Sequence, residues 1–497
     1  MSTFDMIVSG FQIALSLDNL MYCALGVLLG TIIGVLPGLG PIATMSILLP
    51  ITYQIPVEAS IIMLAGIYYG AQYGGSTTSI LVNLPGEASS VITALDGYAL
   101  AKKGKAGVAL AIAAIGSFIA ATIAIIGLSF FAPIISEYAL HIGPPEYTTL
   151  MIVGLAMVMY LSTNSFLKST IAAAFGLLLA SIGTDPALGT SRLTFSSIKL
   201  MDGLDFAAVV MGLFGVGEIL YSMDDEEEKI FITEKITQIW PSIKDLLHVK
   251  WAILRGTFIG FFIGVLPGGS TIISSLLAYS VEKKVSKNPE EFGQGALEGV
   301  ASPESANNSA AIAAFIPLLT LGLPANAVMA VLFGALLIHG ITPGPLMMAE
   351  HPQLFWGIIN SMYIGNILLV LLNLPLVGLF VQLLKIRLSI LSPFVILVTM
   401  IGAYSINNDL FELWVTLFFG VIGYFMRKYG FEPGPLILAY ILGPILENSF
   451  RKSLIISGGN LSIFVERPIS LFFLLIAVTM LIFHFYKNSK NNHKQNT

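Results

Sequence analysis

Charge is scarce in this chain: Asp, Glu, Lys and Arg make up 11% of 497 residues. Soluble domains carry about 25% charged residues, so the chain cannot cover itself with a hydrated surface. Cysteine is nearly absent, and the lone Cys23 excludes a disulfide framework, a zinc cluster or a redox pair. A formal net charge of -5, small and scattered, gives no sign of nucleic acid as a partner, and none is expected. No Gly-rich phosphate loop of the Walker type occurs, which excludes ATP hydrolysis within the chain. Six histidines, mostly outside the apolar runs, offer no Ser/His pair for an intramembrane hydrolase, so no enzyme and no cofactor is expected. The amino terminus lacks a basic stretch and a small-residue cleavage site, so no signal peptide is expected.

Apolar length is abundant instead, and a helix crossing a bilayer needs roughly 20 apolar residues. Runs of this kind lie at 106–135, 146–161, 165–183, 206–222, 354–382, 409–426 and 468–486. Others, at 21–36, 41–55, 59–73, 251–266, 297–317, 318–338 and 433–446, are interrupted by glycine and proline. The expected fold is an all-α polytopic membrane protein with roughly 12 crossings. Asp224 to Glu228 are adjacent like charges that stay hydrated, which makes 223–250 a polar connector. It divides a first membrane half, 21–222, from a second, 251–486; 1–20 reads as an interfacial segment and 487–497 as a tail. Basic residues gather in short loops, among them Lys102, Lys103 and Lys105, Arg427 and Lys428, and Lys487 and Lys490. The positive-inside rule puts these loops and the carboxy terminus in the cytoplasm.

The two halves are related. Gly34-Val35-Leu36-Pro37-Gly38 recurs as Gly264-Val265-Leu266-Pro267-Gly268, 230 residues later, and the match reaches back to Gly30 and Gly260. Each copy is followed by a second Leu-Pro, in Leu84-Pro85-Gly86-Glu87 and in Leu323-Pro324-Ala325-Asn326. The short helix 41–55 ends without a basic residue, whereas 271–281 ends at Lys283-Lys284, so the two leave on opposite sides. Paired broken segments of opposite orientation point to inverted structural repeats with broken helices or re-entrant hairpins, as in secondary transporters.

Proline and glycine inside an apolar run break the helix and free backbone N–H groups, whose positive dipole end suits a carboxylate. Gly38, Gly40, Pro85, Gly86, Gly268, Gly269, Ser270, Pro324 and Asn326 are therefore candidate binding positions. Ser76, Thr77, Thr78 and Ser79, with Asn83, read as a hydroxyl-rich hairpin tip able to bond an oxyanion or Na⁺. The alternative is that these hydroxyls bond carbonyls of their own helix. In Ser302-Pro303-Glu304-Ser305-Ala306-Asn307-Asn308-Ser309, Ser302 reads as a helix cap with Pro303 in the first turn. Glu304 then either complements the helix dipole or, with Asn307, Asn308 and Ser309, contacts substrate or ion. Glu218 and Glu298 are candidate proton carriers, and His339 reads as a helix-terminal residue. With almost no Lys or Arg in the spans, substrate charge falls to dipoles, amides and a co-transported cation. No metal site beyond Na⁺ at these same groups is expected.

These residues resemble the large membrane subunit of the tripartite tricarboxylate transporters. The first block of likeness runs from Gly34-Val35-Leu36-Pro37-Gly38 through Tyr73-Gly74-Gly75-Ser76 to Ala94-Leu95-Asp96-Gly97-Tyr98. Pro303-Glu304 with Ala306-Asn307-Asn308 and Leu321-Gly322-Leu323-Pro324 form a second. Pro343-Gly344-Pro345-Leu346 and Leu442-Gly443-Pro444, with Glu447 and Arg451, form a third. The resemblance implies import of a carboxylate such as citrate across a bacterial inner membrane, coupled to Na⁺ or H⁺. It also implies two partners, a periplasmic solute-binding protein and a small membrane subunit. Self-association as a homo-oligomer stays open, as does a stand-alone carrier or channel for an organic anion.

Overall fold

The computed structural model describes residues 3–36, 40–84, 86–161, 165–185, 187–224, 240–383 and 388–495. The first half comprises α1 (Thr3–Ala14), α2 (Leu17–Val35), α3 (Pro41–Thr52), α4 (Val57–Val82) and α5 (Val91–Lys102). It continues through α6 (Ala106–Ala139), α7 (Pro144–Leu161), α8 (Phe166–Ala180), α9 (Phe206–Val210) and α10 (Gly217–Asp224). A π-helical turn, Met211–Val216, joins α9 to α10. The second half opens with α11 (Ile243–Val265), α12 (Thr271–Val285), α13 (Glu298–Ala313), α14 (Phe315–Leu321), α15 (Ala327–Ile338) and α16 (Met347–Glu350). It ends with α17 (Pro352–Leu383), α18 (Leu388–Asn407), α19 (Leu410–Lys428), α20 (Pro433–Ile456), α21 (Ile463–Glu466) and α22 (Pro468–Gln495). A two-residue hairpin pairs Gly183–Thr184 with Ser191–Arg192. Six helices among the described residues are long and apolar enough to cross a membrane, and further apolar helices are shorter.

Glycine explains which helices pair. Gly26, Gly30 and Gly34 of α2 lie on the carbonyls of Met63, Ile67 and Ala71 of α4, where a Cβ would overlap the carbonyl oxygen. Gly256, Gly260 and Gly264 of α11 lie in the same way on Ser302, Ala306 and Ala310 of α13. Small residues at four-residue spacing let helices approach at backbone distance, which is how packing holds helices together in lipid. The three glycines repeat at the 230-residue offset of the Leu-Pro-Gly motif, so the duplication reaches further upstream than Gly30 and Gly260. Gly260→Ala should therefore cost about 1–3 kcal/mol by overpacking. Gly378→Ala is the control, since nothing lies within 4 Å of its Cβ position. The readout is the thermal midpoint of the detergent-solubilised protein, and equal midpoints for the two variants would show that α11 and α13 separate freely.

The order of elements repeats after each pair. A long helix, α2 or α11, is followed by a short one, α3 of 12 residues or α12 of 15. At 1.5 Å per residue, roughly 18 and 22 Å, neither crosses a core of about 30 Å. The next helices end on a left-handed residue, Asn83 at the end of α4 and Gly322 at the end of α14. A second short helix, α5 or α15, then begins.

Several sequence expectations change. α4 is continuous from Val57 to Val82, so Ser76–Ser79 lie inside a helix and not at a hairpin tip. Gly74 there does not break the helix; its Cβ position is filled by the Thr31 carbonyl of α2. α13 starts at Glu298, which leaves Ser302 and Pro303 inside it; the Ser302 hydroxyl donates to the Ala278 carbonyl of α12 (3.3 Å) and caps nothing. α11 starts at Ile243, within the expected connector, held by a reciprocal cap between Ser242 and Asp245. α1 packs on α17, where Asn360 donates to the Ile7 carbonyl at 2.8 Å. Pro37, Gly38 and Pro85 lie outside the described residues.

Candidate functional site

The short helices α3, α12 and α15, and the longer α20, start around one cavity of about 520 Å³. Ile42 of α3, Glu87 and Ala88 ahead of α5, Ser270 and Thr271 of α12, and Asn326 and Ala327 of α15 all line it. α3 opens at Gly40 with no side-chain cap. The Ser270 hydroxyl accepts from the Ile273 N–H at 3.2 Å, and the Asn326 amide oxygen from the Met329 N–H at 3.0 Å. The Asn326 amide nitrogen donates to the Tyr68 hydroxyl at 3.4 Å. Gly268 sits at φ +77 with the backbone of Met157 and Val158 against its Cβ position, and its N–H donates to the Ala325 carbonyl at 2.7 Å. One residue thus joins the break before α12 to the break before α15. Helix N-termini carry unpaired N–H groups and partial positive charge. Those of α3, α12, α15 and α20 open on this cavity, beside the Arg427 guanidinium and the carboxyl groups of Glu87, Glu218 and Glu432.

A second polar cluster lies between α4, α5, α6 and α13. The Glu304 carboxylate is 1% exposed. It accepts from the Ser76 hydroxyl at 2.6 Å on one oxygen and from the Thr93 hydroxyl on the other. Among the described residues it has no ion-pair partner. Asn308 donates to the Ser117 hydroxyl at 2.7 Å and to the Glu304 carbonyl at 3.1 Å. A void of about 20 Å³, room for one water-sized species, is lined by Tyr73, Ser76, Thr77, Ser117, Glu304 and Asn373. Asn307 is fully buried, and neither polar atom of its amide has a hydrogen-bond partner among the described residues. The cavity and the cluster connect. The Ser89 hydroxyl stands between the Glu87 carboxylate and the Gln72 amide oxygen (2.9 Å), and Ser76 reaches the Gln72 carbonyl at 3.1 Å.

Of the candidate positions, Gly268, Ser270 and Asn326 face the cavity, while Ser76, Thr77 and Glu304 face the void. Others hold helices together. Thr78 donates to the Val35 carbonyl at 2.7 Å, closing the end of α2, and Ser79 to the Ser90 hydroxyl at 2.7 Å. Ser309 donates to the Thr257 carbonyl at 2.7 Å. Gly86 and Gly269 lie on the carbonyls of Gly34 and Ile263, Asn83 is the left-handed end of α4, and Pro324 is buried between α14 and α15. Glu298 pairs with His248 at 2.8 Å and Glu218 with Arg427, so neither is an isolated proton carrier. His339 is the C-terminal cap of α15, as expected. Tyr68, Gln72, Thr93 and Ser117 carried no sequence signal beyond being polar in apolar surroundings.

Glu447 and Arg451 hold a loop. Arg451 takes Asp185 with both guanidinium nitrogens (3.0 and 2.6 Å), and Glu447 accepts from Arg451 and Arg192. Asp185 lies in the loop between α8 and α9; Arg451 above all, then the N–H groups of Ala187 and Leu188, hold its carboxyl down at about 2.

Apolar helices broken at matched positions around a cavity of helix N-termini define a polytopic helical membrane protein with an internal polar site. The chain belongs to the tripartite tricarboxylate transporter TctA family, whose model matches residues 20–438. It is thereby a membrane component of a tripartite transporter, a system that also has a binding protein and a small membrane subunit. It is 48% identical over 473 residues to an uncharacterized 52.8 kDa protein in the TAR-I ttuC' 3' region of Agrobacterium vitis, covering 95% of this chain and 94% of that protein. An uncharacterized protein in the TAR-II ttuC' 3' region of the same organism is 54% identical over 211 residues, 42% of this chain and 87% of that protein. No solved structure matches.

Proposed function

We propose that the chain is the translocating subunit of a binding-protein-dependent importer in a bacterial inner membrane, carrying a small di- or tricarboxylate and driven by an ion gradient. The observation that carries this reading is the convergence on one cavity of about 520 Å³ of the N-termini of α3, from the first half, and of α12, α15 and α20, from the second. Halves of opposite orientation accord with the helix ends: α12 finishes in Lys283 and Lys284, and α3 has no basic residue in its last turn. The carboxy terminus is then cytoplasmic. The coupling ion, Na⁺ or H⁺, is met at Glu304, whose buried carboxylate has no protein cation and joins the cavity through Ser76, Gln72 and Ser89.

Uptake of labelled di- and tricarboxylates by proteoliposomes holding both membrane subunits, with and without the binding protein, under Na⁺ or H⁺ gradients, tests this reading. Accumulation is expected only with the binding protein and a gradient; equal accumulation without the binding protein would favour a stand-alone carrier. Asn326→Asp is expected to raise the half-saturation concentration about tenfold or more, because aspartate caps a helix as well as asparagine but sets a negative charge on the cavity. An unchanged value would move the substrate site elsewhere.

A further inference from the structure

Neutral donors do not account for the whole cavity wall. Arg427, which reads from sequence as part of a basic loop, stands in the last turn of α19 and lines the cavity. It is the only Lys or Arg among the cavity's lining residues. Its side chain is 14% exposed, and its guanidinium lies 5.7 Å from the ring centre of Phe214. One terminal nitrogen pairs with a single oxygen of Glu218, while the other is buried without a hydrogen-bond partner among the described residues. Glu218 lies two residues beyond the π-helical turn Met211–Val216, and such turns are frequent at functional sites.

An arginine presents a planar fork that matches a carboxylate with two parallel N–H bonds. Here the fork is half used. An unpartnered buried donor is costly, and a ligand carboxylate that engages both nitrogens removes that cost. We propose that Arg427 is the substrate-carboxylate anchor of this cavity, and that Glu218 is an internal carboxylate that a substrate carboxylate displaces. The wall pair is neutral before binding, so the cavity holds no fixed excess of positive charge that would trap a multiply charged anion. Affinity is set by exchange of one carboxylate for another. This inference rests on the reading of the cavity as a carboxylate site.

The signature is opposite movement by the two members of one ion pair. Labelled citrate, with succinate and malate as alternatives, is offered to proteoliposomes with the full complex, and half-saturation and maximal rate are read separately. Arg427→Gln is expected to raise half-saturation more than tenfold, and Arg427→Lys, which keeps charge but loses the fork, to raise it less. Glu218→Gln frees Arg427 and is expected to lower half-saturation severalfold while slowing turnover. Equal weakening by Arg427→Gln and Glu218→Gln, with Arg427→Lys at parental affinity, would make the pair structural and overturn the proposal. If Arg427→Gln is not recovered folded, the other two variants decide by the same opposition. Parental transport without any effect of these variants would reject this inference alone; no carboxylate uptake by the parent would reject the reading beneath it.

Discussion

Replacement of Asp96 by alanine is expected to abolish recovery of folded protein. Asp96 is fully buried in α5, and one carboxylate oxygen accepts from the N–H groups of Gly293, Gly295 and Ala296 at 2.8, 2.7 and 2.8 Å. The other accepts from the Tyr279 hydroxyl of α12 at 2.9 Å. The loop it holds turns through Gly293 and Gly295 at φ +86 and +106, a conformation that needs glycine and has no helix to support it. Each donor left unpaired costs about 1–3 kcal/mol, so the sum is on the order of the 5–15 kcal/mol by which a whole domain is stable. Monodisperse yield and thermal midpoint in detergent check this. Alanine at 96 with parental values would mean that the loop is held by other contacts. Asparagine should fall between, since it keeps the shape and one acceptor.

Glu304→Gln is expected to separate transport from its driving force. A buried carboxylate without a cation costs several kcal/mol, so on the proposed reading Glu304 is neutralised in each transport cycle by a proton or by a cation in the adjoining void. Glutamine keeps the shape and one acceptor, so one of the Ser76 and Thr93 hydroxyls still donates while the other turns to accept from the amide NH2, and it holds no charge to neutralise. Exchange of external for internal labelled substrate should survive, and gradient-driven accumulation should fall more than tenfold. Accumulation at the parental level would remove Glu304 from coupling. Loss of exchange together with accumulation would place it in substrate binding instead.

Membrane class and breaks were legible in the sequence because both depend on local chemistry. Apolar length demands a bilayer, and Leu-Pro-Gly interrupts any helix that contains it. Ser76 and Glu304 each stood out as polar groups in apolar runs, but nothing local says that residues 228 apart touch. Thr93 and Ser117 join them only through packing of α5 and α6 on α13. Ser302-Pro303-Glu304 misled for a physical reason: a local capping signal was outweighed by contacts that extend α13 back to Glu298. Ser76 to Ser79 read as a hairpin tip, whereas α4 runs through them, and Gly74 just before them lets α2 and α4 touch. Arg427 was read from its neighbour Lys428 as a topology signal, although Lys428 pairs with Asp224 and only Arg427 lines the cavity.

The glycine contacts have a mechanical meaning. Helices that meet through side chains can slide by exchanging rotamers, but α2 with α4 and α11 with α13 meet backbone to backbone and have no rotamers to exchange. Each pair is one stiff strut. Opening and closing of the cavity between them is then a hinged movement of whole struts, with the bending left to the chain at their ends. Asn83, left-handed, ends α4, and Gly268, also at positive φ, stands just beyond the end of α11. α12 begins just beyond Gly268 and opens on the cavity, so a few degrees of rotation at that joint would re-aim its N-terminus.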